Sequence, residues 1–383
     1  MKHLLLFALI TTLLFSCKKE SNSLSDMISE NGQNPDEISS QTAASLSGNK
    51  GYVYTESNDA GTNRILIYKK NTDGTLSLQG TTASGGAGTG NLFGSQGALI
   101  LDDTHSWLYA VNAGSNSVSS FKVNLDGSLI LTNTVASGGM RPVSVTINKN
   151  NLYVVNQVSA NINGYKVLEG NLTAIPSTNL ALSAPSADPG QISFHPNGTQ
   201  LYITERGTDK ITSFQVNDQG FASNRTVSTS AGITPFGFDF GRGYMVVANA
   251  HLDLDKLGGV SSYTLSNSGS VSAVNGNVLN QQTAACWTAT TDNGRYAYIA
   301  NSFSDNISSY YIGPDGTAYL INASAAPTDK RPRDVAIINN YYIYVLNVTD
   351  HTIGSYLRGT LGTLNTNGKV TNVPVWAAGL AAY

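Results

Sequence analysis

Short runs in which apolar and polar residues alternate, cut by turns of Pro, Asn and Gly, fill this chain from about residue 51 to its end. The stretch from Pro189 to Phe214 shows the unit. Gln191–His195 and Leu201–Glu205 alternate with period two and are joined by Pro196-Asn197-Gly198, and Ile211–Phe214 follows after Gly207. Alternation of period two between turn residues predicts half-buried strands in tight hairpins.

The unit is written seven times. The second strand of each copy closes on Glu56, Asn112, Asn156, Glu205, Asn249, Asn301 or Asn347, at spacings of 56, 44, 49, 44, 52 and 46 residues. An aromatic then ends each third strand: Tyr68, Phe121, Tyr165, Phe214, Tyr263, Tyr310 and Tyr356. Pro142, Pro189, Pro235 and Pro332 open the first strands of copies three, four, five and seven. A period of about 48 residues, with up to four short strands per copy, predicts an all-β fold, a seven-bladed β-propeller. Each blade covers the faces its neighbours cannot bury alone. The first copy lacks a first strand, and the chain ends in the run Pro374 to Ala381 with nothing after it. That run is expected to close the ring by pairing in the first blade, hiding two sheet edges.

Antiparallel pairing puts the start of each first strand beside the end of the second. Arg141, Val143, Ser144, Gly190, Gln191, Phe236, Gly237, Arg333 and Asp334 are therefore expected near the seven strand-end residues, around one mouth of the central channel. Asn at a strand end is first a turn residue. Glu56 and Glu205 break that pattern. With Arg333 they could bind an anion, or act as base and oxyanion stabiliser, or form an ion pair between blades. His251, Asp253 and Asp255 alternate in an insertion, but they lack the ligand count and glycine spacing of a calcium loop, so no metal is assigned. The run Gly85 to Gly90 lacks the Lys-Ser/Thr of a phosphate loop and reads as a flexible link between blades. No cofactor motif is found.

Composition narrows the classes. Charged residues are 12% and the formal net charge is −3, which argues against nucleic acid as a partner. Of two cysteines, Cys286 reads as a buried apolar filler. Lys2 and His3 precede the mostly apolar run Leu4 to Phe15, an export signal too short to span a bilayer. The run ends Leu14-Phe15-Ser16-Cys17, which resembles the lipobox of bacterial lipoproteins. The resemblance implies a signal peptide over 1–16, lipidation of Cys17 and anchoring to a membrane of the bacterial cell envelope, in the periplasm or at the cell surface. Residues 17–50, rich in Ser, Asn and Gln, read as a flexible tether before a propeller over 51–383.

The second strands LYVVN (152–156), MVVAN (245–249), AYIAN (297–301) and IYVLN (343–347) resemble the Tyr-Val-Thr-Asn repeat of bacterial surface propellers. The proline starts, the FHPNG turn at 194–198, Glu205, the PRD at 332–334 and the PVW at 374–376 resemble the lactonase-type seven-bladed propellers. That family includes 6-phosphogluconolactonases and carboxymuconate cyclases. The resemblance implies hydrolysis or isomerisation of an anionic sugar lactone at the channel mouth, with Glu205 and Arg333 catalytic; Glu56, Arg141, Gln191, Asn156, Asn249 and Asn301, expected around that mouth, would bind substrate. The family's Pro-Arg-His is Pro189-Gly190-Gln191 here. A non-catalytic propeller that binds a glycan, peptide or envelope protein is the other expectation.

Overall fold

The computed structural model describes residues 50–383; the expected export signal, Cys17 and the tether up to residue 49 lie outside the described residues. Seven antiparallel sheets follow one another along the chain. Blade 4 is typical, with strands Pro189–Phe194, Gln200–Glu205, Lys210–Val216 and Ala222–Thr229 running from the axis outwards. All seven second strands end on the expected Glu or Asn. The third-strand aromatics lie two residues inside their strands rather than at the ends, except for Tyr165, which lies three inside.

The first blade is completed by the chain's end. Ala378–Ala382 pairs antiparallel with Tyr52–Glu56 as its innermost strand. Pro374 does not open that strand; its carbonyl accepts from Ala377 N at 3.1 Å in a preceding turn.

Apolar side chains of neighbouring sheets interdigitate to form the core. The second-strand tyrosines Tyr54, Tyr109, Tyr153, Tyr202, Tyr298 and Tyr344 are fully buried. Three of them also stitch a blade to its successor. The hydroxyls of Tyr54, Tyr153 and Tyr344 donate to the carbonyls of Gly127, Gly220 and Gly74 at 2.9, 2.6 and 2.9 Å. Each acceptor lies in the turn between the third and fourth strands of the next blade. A buried tyrosine thus supplies apolar area and satisfies its polar tip.

Gly85 to Gly90 is packed, which corrects the flexible reading. Gly88 N and Gly90 N donate to Asp59 O and Asn58 O at 2.8 and 2.9 Å, and Ala87 O accepts from Gly114 N at 3.0 Å. A Cβ on Gly88 would lie 2.1 Å from the Asn58 backbone. The glycines are there for close backbone approach.

Candidate functional site

We call the face where the second strands end the upper face. The seven strand-end side chains are buried and do not line the mouth, which corrects the expected placement of Glu56, Asn156, Asn249 and Asn301. A strand's side chains stand perpendicular to its sheet, so a second-strand residue faces a neighbouring blade rather than the axis. Asn112 donates to Ser117 and Ser119 and accepts from Ser84 Oγ at 2.5 Å. Asn301 bonds Asn306, Ser308 and Asn280, and Asn249 bonds Ser261 and Asn277. Asn156 donates to Ser137 O at 3.2 Å. The linker arriving from the preceding blade packs on several of these amides. A Cβ on Gly86, Gly139 or Gly232 would lie 2.5, 2.6 or 2.1 Å from the amide carbon of Asn112, Asn156 or Asn249.

The two glutamates sit in different environments. Glu205 accepts from Ser183 N at 3.0 Å, Thr208 Oγ1 at 2.7 Å, Thr212 Oγ1 at 2.5 Å and the Ser183 hydroxyl. Glu reaches one carbon further than Asn, to a linker that carries Ser183 instead of a close-packed glycine. Glu56 accepts from Asn63 Nδ2 at 2.8 Å, and its Oε1 has no partner among the described residues. Burial raises its carboxyl well above the ordinary range, against the pull of the Asn63 hydrogen bond.

The channel is plugged. The segment Phe93 to Gly97, between blades 1 and 2, crosses the axis. Arg333 Nη1 donates to Phe93 O at 2.9 Å, and Trp287 Nε1 to Ser95 O at 2.8 Å. Ser95 Oγ donates to Val143 O at 2.7 Å, and Gln96 N to Gly190 O at 3.0 Å. Gln96 and Thr288 exchange two bonds, Nε2 to O at 2.6 Å and N to Oε1 at 2.9 Å. Blades 3, 4, 6 and 7 all hold the segment, and Gly237 of blade 5 abuts it, since a Cβ there would meet Gln96 Oε1 at 2.0 Å. Below the plug lies a cavity of about 360 Å³, lined among others by Gln191, Asp239, Thr288 and Asp334. Gln191, expected at the mouth, belongs to this lower chamber; its Oε1 accepts from Phe238 N at 2.7 Å.

Above the plug, arginines gather. Arg206 follows Glu205 directly. Its Nη2 donates to Asp188 Oδ1 at 2.7 Å, and its guanidinium lies 4.8 Å from the Phe236 ring centre. Arg333 lies 5.5 Å from the Trp287 ring, and its Nε has no partner among the described residues. Arg331 lies 4.7 Å over Phe303. Asp253, from the insertion of blade 5, is close enough to feel all three. Burial raises its carboxyl, and Arg206, Arg333 and Arg331 pull it back down. Arg333 is lowered mainly by burial and, among charges, by Arg331 and Arg206. Cys286, beneath, is free and buried, and burial pushes its thiol far up.

Arg141 stands on the same face, with φ +60° and its N held by Asn116 Oδ1 at 2.7 Å. His251 to Asp253 form a tight turn with positive φ rather than a strand, so they do not alternate, and Asp255 accepts from Thr283 Oγ1 at 2.9 Å. Among the described residues no cluster of His, Cys, Asp and Glu is arranged to hold a metal. Arg206 and Arg331 were missed in the sequence, although each lies one residue from a position it marks, Glu205 and Pro332.

The family model described as "Lactonase, 7-bladed beta-propeller" matches residues 52–187 and 152–254. The chain belongs to the lactonase family of seven-bladed β-propellers. Solved structures similar to this lactonase-family propeller include a provisional 6-phosphogluconolactonase from Bacteroides fragilis, at 19% identity and TM-score 0.70, covering 87% of this chain and 98% of that one. The periplasmic gluconolactonase of Pseudomonas aeruginosa aligns at 15% identity and TM-score 0.70 over 87% and 99% of the two chains. A virginiamycin B lyase from Staphylococcus aureus aligns at 14% identity and TM-score 0.50 over 73% and 84%. At these identities the likeness is one of fold, and the fold hosts more than one chemistry. A search of curated proteins finds no match.

Proposed function

We propose that the upper mouth binds a small anionic sugar lactone and hydrolyses it. The observation that carries this reading is the gathering of Arg206, Arg331 and Arg333 within electrostatic reach of Asp253 above a closed plug, with Asp188 already paired to Arg206. Arg331 and Arg333 hold the carboxylate or phosphate of the substrate, and a guanidinium stabilises the oxyanion. Asp253, its carboxyl raised by partial burial, takes a proton from water as that water attacks the lactone carbonyl. The ring C–O bond then breaks, and the leaving alkoxide takes the proton to give the open hydroxy acid. Glu205 fixes the hairpin that carries Arg206, since its acceptors are engaged by Ser183, Thr208 and Thr212.

Hydrolysis of plain and phosphorylated aldonolactones by the fragment from Asn49, beside Asp253→Asn and Glu205→Gln, tests this. The expected result is turnover that falls about 10²–10⁴-fold in Asp253→Asn. Absence of turnover on the whole panel would leave a binding module, a reading that the departure of Gly190 and Gln191 from the family's Arg-His favours. The envelope lipoprotein reading stands beside either outcome: Cys17→Ser is expected to release the protein from membranes, and retention would refute the anchor.

A further inference from the structure

We propose that the chamber below the plug is a second binding site, built for a protonated amino sugar. This goes beyond the lactone reading, which concerns the opposite face. The cavity, about 360 Å³, falls at the small end of the range of small-molecule sites, roughly 300–1,000 Å³. It opens between the hairpins that carry Asp103, His105 and Asp292, all exposed.

Charge sets the sign of the ligand. Asp102 and Asp103 of blade 2, Asp239 of blade 5, Asp292 of blade 6 and Asp334 of blade 7 line the chamber, and no lysine or arginine among the described residues does. The bases of the neighbouring hairpins are turned elsewhere. Lys149 borders a separate groove beside Trp107, Arg242 lies 5.4 Å over the Tyr311 ring, and Arg295 is outside the lining. His105, at the rim, stacks on Tyr383 with 4.8 Å between ring centres. Burial raises Asp334 to about 7 and raises Asp239, which Asp292 pushes further up; hydrogen bonds alone pull them down. A carboxyl buried without a counter-charge is costly to ionise, and a cationic ligand brings that charge in. Both keep room to accept. Asp239 takes Phe240 N, Thr290 N and Thr290 Oγ1, each at 2.8 Å, and Asp334 takes Val335 N and Leu380 N at 3.0 Å, while a carboxylate has about four acceptor sites.

A second, independent group asks for more than a cation. Gln191 is only 8% exposed and lines the chamber. Its Oε1 is taken by Phe238 N, but its Nε2 donates to no described residue. Gln96 and Thr288, in the same lining, satisfy each other. A buried donor left over calls for an acceptor oxygen, which a metal ion or a simple alkylammonium lacks. Phe238, Val335 and Leu380 supply an apolar wall. An amino sugar answers all three: its ammonium meets the carboxylates, a hydroxyl oxygen accepts from Gln191 Nε2, and its carbon ring lies on the wall.

The test titrates full-length protein in detergent with glucosamine in a calorimeter, beside glucose, which lacks the charge, and cyclohexylamine, which lacks the hydroxyls. Glucosamine is expected to bind at least about tenfold tighter than either, and more weakly at high salt. Gln191→Leu is expected to weaken glucosamine about fivefold, while cyclohexylamine binding stays unchanged and reports an intact chamber. Asp239→Asn is expected to weaken both amines about tenfold; if it does not fold, Asp292→Asn at the exposed rim shows the same direction, about twofold. Equal binding of glucosamine and either control, or glucosamine affinity untouched by Gln191→Leu, would overturn the proposal. So would calcium binding in a protein that ignores glucosamine. Lactone turnover without glucosamine binding defeats this proposal alone, and glucosamine binding without turnover defeats only the lactone reading.

Discussion

Gln96 and Thr288 exchange two hydrogen bonds across the axis of the ring, although 192 residues separate them in the chain. Both side-chain groups of Gln96 are thereby satisfied inside a closed channel. Gln96→Ala leaves the Thr288 N–H and C=O without partners, and each unpaired buried group costs about 1–3 kcal/mol. Gly237→Ala drives a methyl into Gln96 Oε1. Both variants are expected to lower the urea midpoint, with Gly237→Ala also increasing proteolysis between Asn91 and Gly97. A Gly237→Ala protein as resistant as the parent would show that the plug is not locked from blade 5.

Stability should fall as pH rises from about 4 to 7. Burial pushes Asp334 up to about 7, although Val335 N and Leu380 N donate to it; Glu56 and Asp239 are raised as well. Unfolded, these carboxyls titrate near 4. Between the two values the folded state binds more protons, so the contribution is complete below pH 4 and is lost as pH climbs through the folded pKa. Denaturation midpoints between pH 4.5 and 8 check the slope, and Asp334→Asn is expected to remove the portion that ends near pH 7.

A chain cut after Asn372 lacks Ala378–Ala382 and exposes the edge of Tyr52–Glu56. It also loses Leu380 N, the partner of Asp334. The expected outcome is a much lower melting temperature and aggregation through the open edge. An unchanged melting curve would mean that the ring does not depend on its clasp.

Glu205→Gln trades a carboxylate with several donors for an amide with one acceptor oxygen. Hydrogen bonds to a charged group contribute about 1.5–3 kcal/mol each, so a loss of about 2–4 kcal/mol in stability is expected. Thermal melts beside turnover separate the roles. The loss in rate per folded molecule should be smaller than in Asp253→Asn; a stable, inactive Glu205→Gln would return the base role to Glu205.

The ring was legible because each blade repeats one alternation and one strand-end residue, and because a missing first strand matched a surplus last one. The plug was not, since Phe93-Gly94-Ser95-Gln96-Gly97 carries no periodicity. Its traces were indirect: the 56-residue interval from Glu56 to Asn112 is the longest of the six, and the second copy has Ala98 where others have proline. The strand-end asparagines were found but given the wrong direction, because the spacing marks a strand's end and not the side to which its last residue points. Arg206 and Arg331 need the third dimension, since only ring closure brings blades 4 and 7 to one axis.

Gly51 and Tyr383 lie side by side, with Tyr52 N donating to Tyr383 O at 3.0 Å, and both sit on the lower face, where second strands begin and innermost strands end. Any bead or fusion domain joined directly at either end of the described fold therefore grips the disc from underneath. The arginine face is left looking outward, so that an immobilised molecule samples the solution beyond its support and not the support itself.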